Sequence, residues 1–317
     1  MFRLMNILKL LIGKLNGMIK PILRTCIICR KEKPTSDFNV EHIILDTIGG
    51  DLKIHTVCAV CNSSLSKNFN NLFLSDTNIG ICRKILSLNR SGSNRDIKNP
   101  LKKAKIDGED GENYYVQFDN GLPKVIRKPE TEIKQEENGY KVIIHGAPDT
   151  LEKRKDEVLK KYGYSESEIV NLKKQVTNIT KAVSFETKPL AIILEALKVA
   201  YEFTVTVLPD YFKDEWAFEY SAFLESGKMN DFIKRKIDSA PTIQKVCSVD
   251  YEELSKLPTH QHAIFVKSYQ NFGLVCIVKL FNFFTFHHLS EKCLLDIGKE
   301  TLVINEPIVR KSIFVVE

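Results

Sequence analysis

Residues 26–62 read CIICRKEKPTSDFNVEHIILDTIGGDLKIHTVCAVCN, and the spacing of their cysteines decides how the rest of the chain is read. Cys26 with Cys29, and Cys58 with Cys61, form two Cys-x-x-Cys pairs. Such pairs supply four thiolates, which close a tetrahedron around one structural Zn²⁺ and leave no position open for substrate. A closed site of this kind fixes a small fold, and chemistry has to come from other residues. Glu41-His42 lies between the pairs, and Asn62 follows the last cysteine directly. A neutral imidazole accepts a proton from water near neutral pH. A carboxylate and an amide carbonyl are hard oxygen donors of the kind that Mg²⁺ or Mn²⁺ takes. Together the three side chains have the chemical types needed to hydrolyse a phosphodiester.

The strings CIIC, EHII, IGG and VCAVCN resemble the HNH endonucleases, the ββα-metal nuclease superfamily. Within it they are most similar to the branch with two zinc knuckles, of which phage endonuclease VII is a member. The resemblance implies that His42 is the general base, that Glu41 and Asn62 hold a catalytic Mg²⁺ or Mn²⁺, and that Cys26, Cys29, Cys58 and Cys61 hold structural zinc. Leu45 stands where the family pattern usually has proline, and the middle asparagine of the motif is not evident. His55 lies near that asparagine's place, where it could support the loop or touch phosphate, although a plain surface role is commoner for histidine.

Beyond the motif the charge is unevenly spread. The chain carries a net charge of +6, and Arg83, Lys84, Arg90, Arg95, Lys98, Lys102, Lys103 and Lys105 cluster with Asp96 as the only acid among them. Ser91-Gly92-Ser93-Asn94 and Asn99-Pro100 mark irregular backbone there. Residues 76–110 therefore read as a basic arm, with Arg83, Lys84, Arg90, Arg95, Lys102 and Lys103 as phosphate contacts. The alternative is a solvated charged loop.

Residues 1–23 read as an amphipathic helix ended by Pro21, packing on protein; Lys9 and Lys14 interrupt the apolar run, so neither a membrane span nor a signal peptide fits. Cys82, Cys247, Cys276 and Cys293 are scattered and read as buried, reduced thiols, which suits the cytoplasm. His260, His262, His287 and His288 have no cysteine or acid at ligand spacing and are not expected to bind metal.

Residues 24–75 make the nuclease-like module, with a hairpin around residues 40–44, a Gly49-Gly50 turn, and a helix from Asn62 to about Leu74 burying Leu65, Phe69, Leu72 and Phe73. Residues 111–317 form a second part, for targeting, sensing or oligomerisation. It begins with a β-meander through Tyr114–Phe118, Asn120-Gly121, Val125-Ile126 and Tyr140–His145, and continues in helices capped near Thr150 and Ser165. Pro189 opens an apolar helix, a second follows to about Gly227, and strands return at 262–269, 274–281 and 301–316. The expected fold class is α+β: an N-terminal zinc-stabilised ββα-metal module with a mixed helical and antiparallel-strand C-terminal domain. The expected function is metal-dependent endonuclease action on DNA, with RNA open as a substrate, a homo-oligomer or regulatory partner acting through the C-terminal part, and restriction or anti-phage defence as the setting. The alternative is a non-catalytic, zinc-stabilised nucleic-acid-binding protein.

Overall fold

The computed structural model describes residues 22–93, 95–108, 110–136, 139–146, 148–166, 169, 181–297 and 299–316. The architecture is α+β, as the sequence implies. It divides into two compact units: the described residues of Met1–Leu74, Arg90–Ser93 and Pro189–Glu317, and those of Ser75–Asn89 and Asn94–Lys188. The expected helix over residues 1–23 falls almost wholly outside the described residues, as does most of the one expected after Ser165.

The first unit begins with β1 (Leu23–Thr25) and β2 (Glu32–Pro34), the antiparallel arms of the first cysteine knuckle. β3 (Glu41–His42) then pairs antiparallel with β4 (Lys53–Ile54). In the loop between them Leu45 holds φ −55°, inside the range that proline imposes, so the turn keeps its course without proline. Gly49 sits at φ +88°, and a Cβ on Gly50 would lie 1.9 Å from the Ile44 carbonyl oxygen, so both positions need glycine. α1 (Ala59–Leu65) starts at Cys58 and runs through a π-helical stretch, Ser66–Asn70, into α2 (Asn71–Leu74). The wider π turn favours a spacing of four, so Leu65, Phe69 and Phe73 are buried while Leu72, expected in the same stripe, faces out.

The second unit holds α3 (Thr77–Ile85), β5 (Lys105–Ile106), β6 (Tyr114–Asp119), β7 (Leu122–Arg127), β8 (Glu130–Glu136), β9 (Gly139–His145), α4 (Pro148–Tyr162) and β10 (Val183–Ser184). Asp76 caps α3 by accepting from the Ile79 N–H, and its other oxygen accepts from the Lys188 N–H. Asn120 and Gly121 both take positive φ, the requirement of a tight type I′ hairpin between β6 and β7. The expected single meander is instead a set of separate two-stranded sheets, β5–β10, β6–β7 and β8–β9. Pro129, between β7 and β8, has no N–H with which to continue a ladder.

The chain returns to the first unit through α5 (Pro189–Val207), α6 (Glu215–Ser226), α7 (Asp231–Asp238), α8 (Ala240–Val246) and α9 (Ser248–Ser255). Five antiparallel strands follow: β11 (His262–Tyr269), β12 (Gly273–Leu280), β13 (Phe283–Ser290), β14 (Glu300–Glu306) and β15 (Lys311–Val316), in the order β13-β12-β11-β14-β15. β12 is buried at every position because both faces of the sheet are covered. Val275 and Ile277 join Ile243, Cys247 and Leu254 of the α8–α9 region, while α5 packs on β12 as well, with Thr204 reaching Cys276. Cys247 and Cys276 are buried free thiols, as expected, whereas Cys82 is partly exposed and Cys293 exposed.

Several buried bonds join the cysteine-bearing segment to this sheet and its helices. The Tyr201 hydroxyl donates to the Ile27 carbonyl at 2.6 Å. Arg30 lies between the Phe212 and Phe218 rings and donates to Ser221 Oγ and the Phe212 carbonyl, both at 2.8 Å. His262 Nδ1 accepts from the Phe281 N–H at 3.0 Å, which fixes Nε2 as the donor to the Ile48 carbonyl at 2.9 Å. Burial drives the His262 pKa down to about 4, so the ring stays neutral. Its contribution to stability is therefore complete above the ordinary histidine pKa and is lost as pH falls from about 6.5 toward 4. His262→Leu should cost about 1–3 kcal/mol for each of the two backbone groups it orphans. In urea unfolding the gap between parent and variant should narrow as pH drops through that window; a constant gap would contradict the assignment.

Candidate metal centre and active site

The four cysteine sulfurs of Cys26, Cys29, Cys58 and Cys61 lie within 4.8 Å of one another. The Cys29–Cys58 separation is 4.0 Å, far from a disulfide, and close to the edge of about 3.8 Å in a tetrahedron with Zn–S bonds near 2.3 Å. The first knuckle closes through the Arg30 N–H to the Cys26 carbonyl at 2.9 Å, with Arg30 in the left-handed region at φ +58°. The second knuckle is the N-terminal turn of α1, and the Cys58 N–H points at Cys26 Sγ, 3.3 Å away. Lys33 Nζ donates to Cys58 Sγ at 3.1 Å, and that bond raises the lysine pKa. Four thiols at this spacing, with N–H donors around them, fit Zn²⁺. A bound zinc would cross-link the first knuckle to the start of α1.

His42 sits half-buried on β3, facing a different set of groups. Burial lowers its pKa, and the nearby Asp46 carboxylate partly offsets that effect. Burial also pushes the Asp46 carboxyl upward, but hydrogen bonds from Ser91 and the Arg310 charge hold it below its ordinary range. Ser91 donates through N–H to Asp46 Oδ2 at 2.9 Å and through its hydroxyl to Oδ1 at 2.7 Å. Arg310 Nη1 donates to Asp46 Oδ1 at 2.5 Å and to the Asp46 carbonyl at 2.9 Å. A neutral imidazole beside an anchored carboxylate is suited to take a proton.

Glu41 faces the other way. Its side chain is buried, and Lys198 Nζ of α5 lies 2.8 Å from its Oε1. Glu195 Oε1 and Glu202 Oε2 approach the same ammonium at 3.4 and 3.5 Å, and the His42 carbonyl oxygen at 3.3 Å. Burial opposes the Lys198 charge, but the carboxylates around it raise its pKa and keep it protonated. Burial raises Glu195 and Glu202, which favours their neutral forms. A divalent ion at Glu41 would have to share that carboxylate with an ammonium in a site closed to solvent.

Asn62, on α1, donates both amide hydrogens back toward β3, to Asn39 Oδ1 at 2.9 Å and the Val40 carbonyl at 3.0 Å. His42 and Asn62 are thus tied to one strand, while Glu41 points away into the α5 cluster. His55 is exposed, and its carbonyl accepts from Arg24. Among the basic residues, Arg83 and Lys84 lie on α3, where burial lowers the Arg83 pKa and Lys84 pairs with Asp96 at 2.7 Å. Arg90, Arg95, Lys102 and Lys103 are exposed. His260, His262, His287 and His288 bond to Glu306, Ile48, Thr285 and Phe272, and among the described residues only the four cysteines form a metal-binding cluster.

Asp46, Arg310 and the α5 cluster escaped the sequence reading. Arg310 is brought in from more than 250 positions away, and no local pattern could reveal it. Glu195, Lys198 and Glu202 did carry a signal: three charges on one face of an otherwise apolar helix have to find one another.

Residues 26–77 match the model of a family described as HNH endonuclease. No curated protein and no solved structure matches the chain. The matched stretch takes in all four cysteines, Glu41, His42 and Asn62.

The cysteine cluster makes a direct prediction. The purified chain should carry one zinc per molecule by elemental analysis, and Cys58→Ser should carry much less. Stripping zinc with a strong chelator should also remove amide-exchange protection from residues 41–65. Full protection in the metal-free chain would show that the thiols merely pack.

Proposed function

We propose that the chain is an HNH-type endonuclease that hydrolyses phosphodiester bonds, with DNA as its principal substrate. The observation that supports this best is the coincidence of the family match with a half-buried, uncharged His42 held beside an anchored Asp46. In this reading His42 takes the proton from a water molecule. The water oxygen bonds to phosphorus as the bond to the leaving oxygen breaks, and solvent supplies the proton that the leaving group needs. Asn62 holds the strand that presents His42. The family supplies the expectation of a Mg²⁺ or Mn²⁺ ion to stabilise charge on the phosphate; Asn62 remains a candidate ligand for it, and the Lys198 ion pair speaks against Glu41.

The exposed Lys53 on β4, close enough to influence His42, is a natural phosphate contact, as are Arg90, Arg95, Lys102 and Lys103. Such contacts give affinity without sequence choice. Placement in the two-knuckle branch rests on the paired Cys-x-x-Cys units. Restriction or anti-phage defence, a cytoplasmic setting and a regulatory or oligomerising role for the C-terminal part belong to this proposal on functional grounds alone. No helix among the described residues is long and apolar enough to cross a membrane.

Nicking of supercoiled plasmid with Mg²⁺ or Mn²⁺ tests the reading. His42→Ala should lose at least about 100-fold in rate, with zinc content unchanged. Cleavage at the parental rate by that variant would refute the mechanism, and a parent that retards DNA without cutting it would point to the binding module instead. Because His42 must be neutral, the rate should rise with pH along an acid limb centred below about 6.5. Asp46→Asn removes a group that raises the His42 pKa, so it should move that limb to still lower pH.

A further inference from the structure

We propose that the cation held by Glu41 in this chain is the ammonium of Lys198, so that Glu41 bolts the His42 strand to α5 instead of ligating a divalent ion. The inference rests on reading Glu41-His42 as the catalytic pair, and it changes what the acid of that pair does.

α5 is buried on nearly all its faces, yet it carries Glu195, Lys198 and Glu202 in its interior. Spacings of three and four place these residues on one side, where each carboxylate comes within 3.5 Å of the ammonium. Glu41 completes the set from β3 at 2.8 Å, the shortest of the contacts. An ammonium has three N–H donors. Here two are met by Glu195 and the main-chain oxygen of His42 itself, while the Glu41 carboxylate lies in ion-pair contact at 2.8 Å and Glu202 just beyond. One buried charge therefore grips both the acid and the backbone of its histidine neighbour.

The same geometry argues against a metal in this place. Among the described residues, only the cysteine cluster brings three or more His, Cys, Asp or Glu ligand atoms within 4.8 Å of one another. The point on which the three carboxylates converge is already filled by the Lys198 nitrogen. A divalent ion on Glu41 would set a double positive charge beside the Lys198 ammonium with no water to screen them. Glu41 Oε1, Glu195 Oε2 and both Glu202 oxygens make no hydrogen bond among the described residues, so the cluster has acceptor capacity that Lys198 alone does not fill. Loss of Lys198 should therefore turn the cluster into a cation trap.

Mn²⁺ binding to the zinc-loaded full chain, followed by the electron-spin signal of free Mn²⁺, provides the test. Glu41→Gln should bind Mn²⁺ as the parent does, within about twofold, whereas removing a true ligand should weaken binding by about tenfold or more. Lys198→Met, if it folds, should gain Mn²⁺ affinity by about tenfold or more or acquire an additional site. A tenfold loss in Glu41→Gln would overturn the proposal, as would a folded Lys198→Met with no gain. Should Lys198→Met fail to fold, the Glu41→Gln titration decides alone. The readout needs no cleavage, so a chain that cuts nothing would refute the nuclease reading and leave this measurement standing.

Discussion

The β3–β4 hairpin has two residues in each strand, too few to hold a shape in water, so whatever closes around it decides where His42 points. Two constraints do so from opposite sides. The cysteine cluster ties the preceding knuckle to the start of α1, and Asn62, one residue past the last cysteine, reaches back to the Val40 carbonyl. On the other side Lys198 takes hold of Glu41 and of the His42 carbonyl. A four-cysteine knuckle suited to zinc and a buried ion pair thus share the task of fixing one short strand.

The two constraints differ in kind. A zinc–thiolate site gains its energy from the metal and forms wherever the ligands meet. A buried ion pair gains little net stability, because desolvation offsets attraction, but it is costly to break from one side. Lys198 therefore acts more on the placement of β3 than on the overall stability of the unit. The same separation runs through the loop: Asp46 is fixed by Ser91 and Arg310, Asp51 by Asn305 and Ser312, and Ile48 by His262. The partners Arg310, Asn305, Ser312 and His262 all come from the C-terminal sheet and its turns. That part of the chain supplies the walls of the candidate site.

Much of this was legible in the sequence, and what was missed follows a pattern. The cysteine pairs, the Glu41-His42 strand, the Gly49-Gly50 turn and the long α5 helix each declare themselves through local spacing or special backbone needs. β8 was missed because its alternating positions are mostly charged, and β13 because its aromatic run follows β12 after a two-residue turn. Helices α8 and α9, of seven and eight residues, are too short to show a period. The direction of Glu41 was beyond local reading altogether. Its neighbour on the strand faces the opposite side, as strand geometry requires, and which side receives a cation depends on a helix more than 150 residues away.

The bonds of Arg30, Tyr201, His262 and Lys198 predict that the cysteine-bearing segment and the C-terminal helices and sheet unfold as one cooperative body. Co²⁺ placed in the four-cysteine site reports on one end through its thiolate absorption, and Trp216, the only tryptophan, reports on the other, where it packs edge-on against His288 of β13. Followed together in a denaturant titration, the two signals should change in a single coincident transition. Loss of the cobalt signal well before any change at Trp216, or the reverse order, would contradict it.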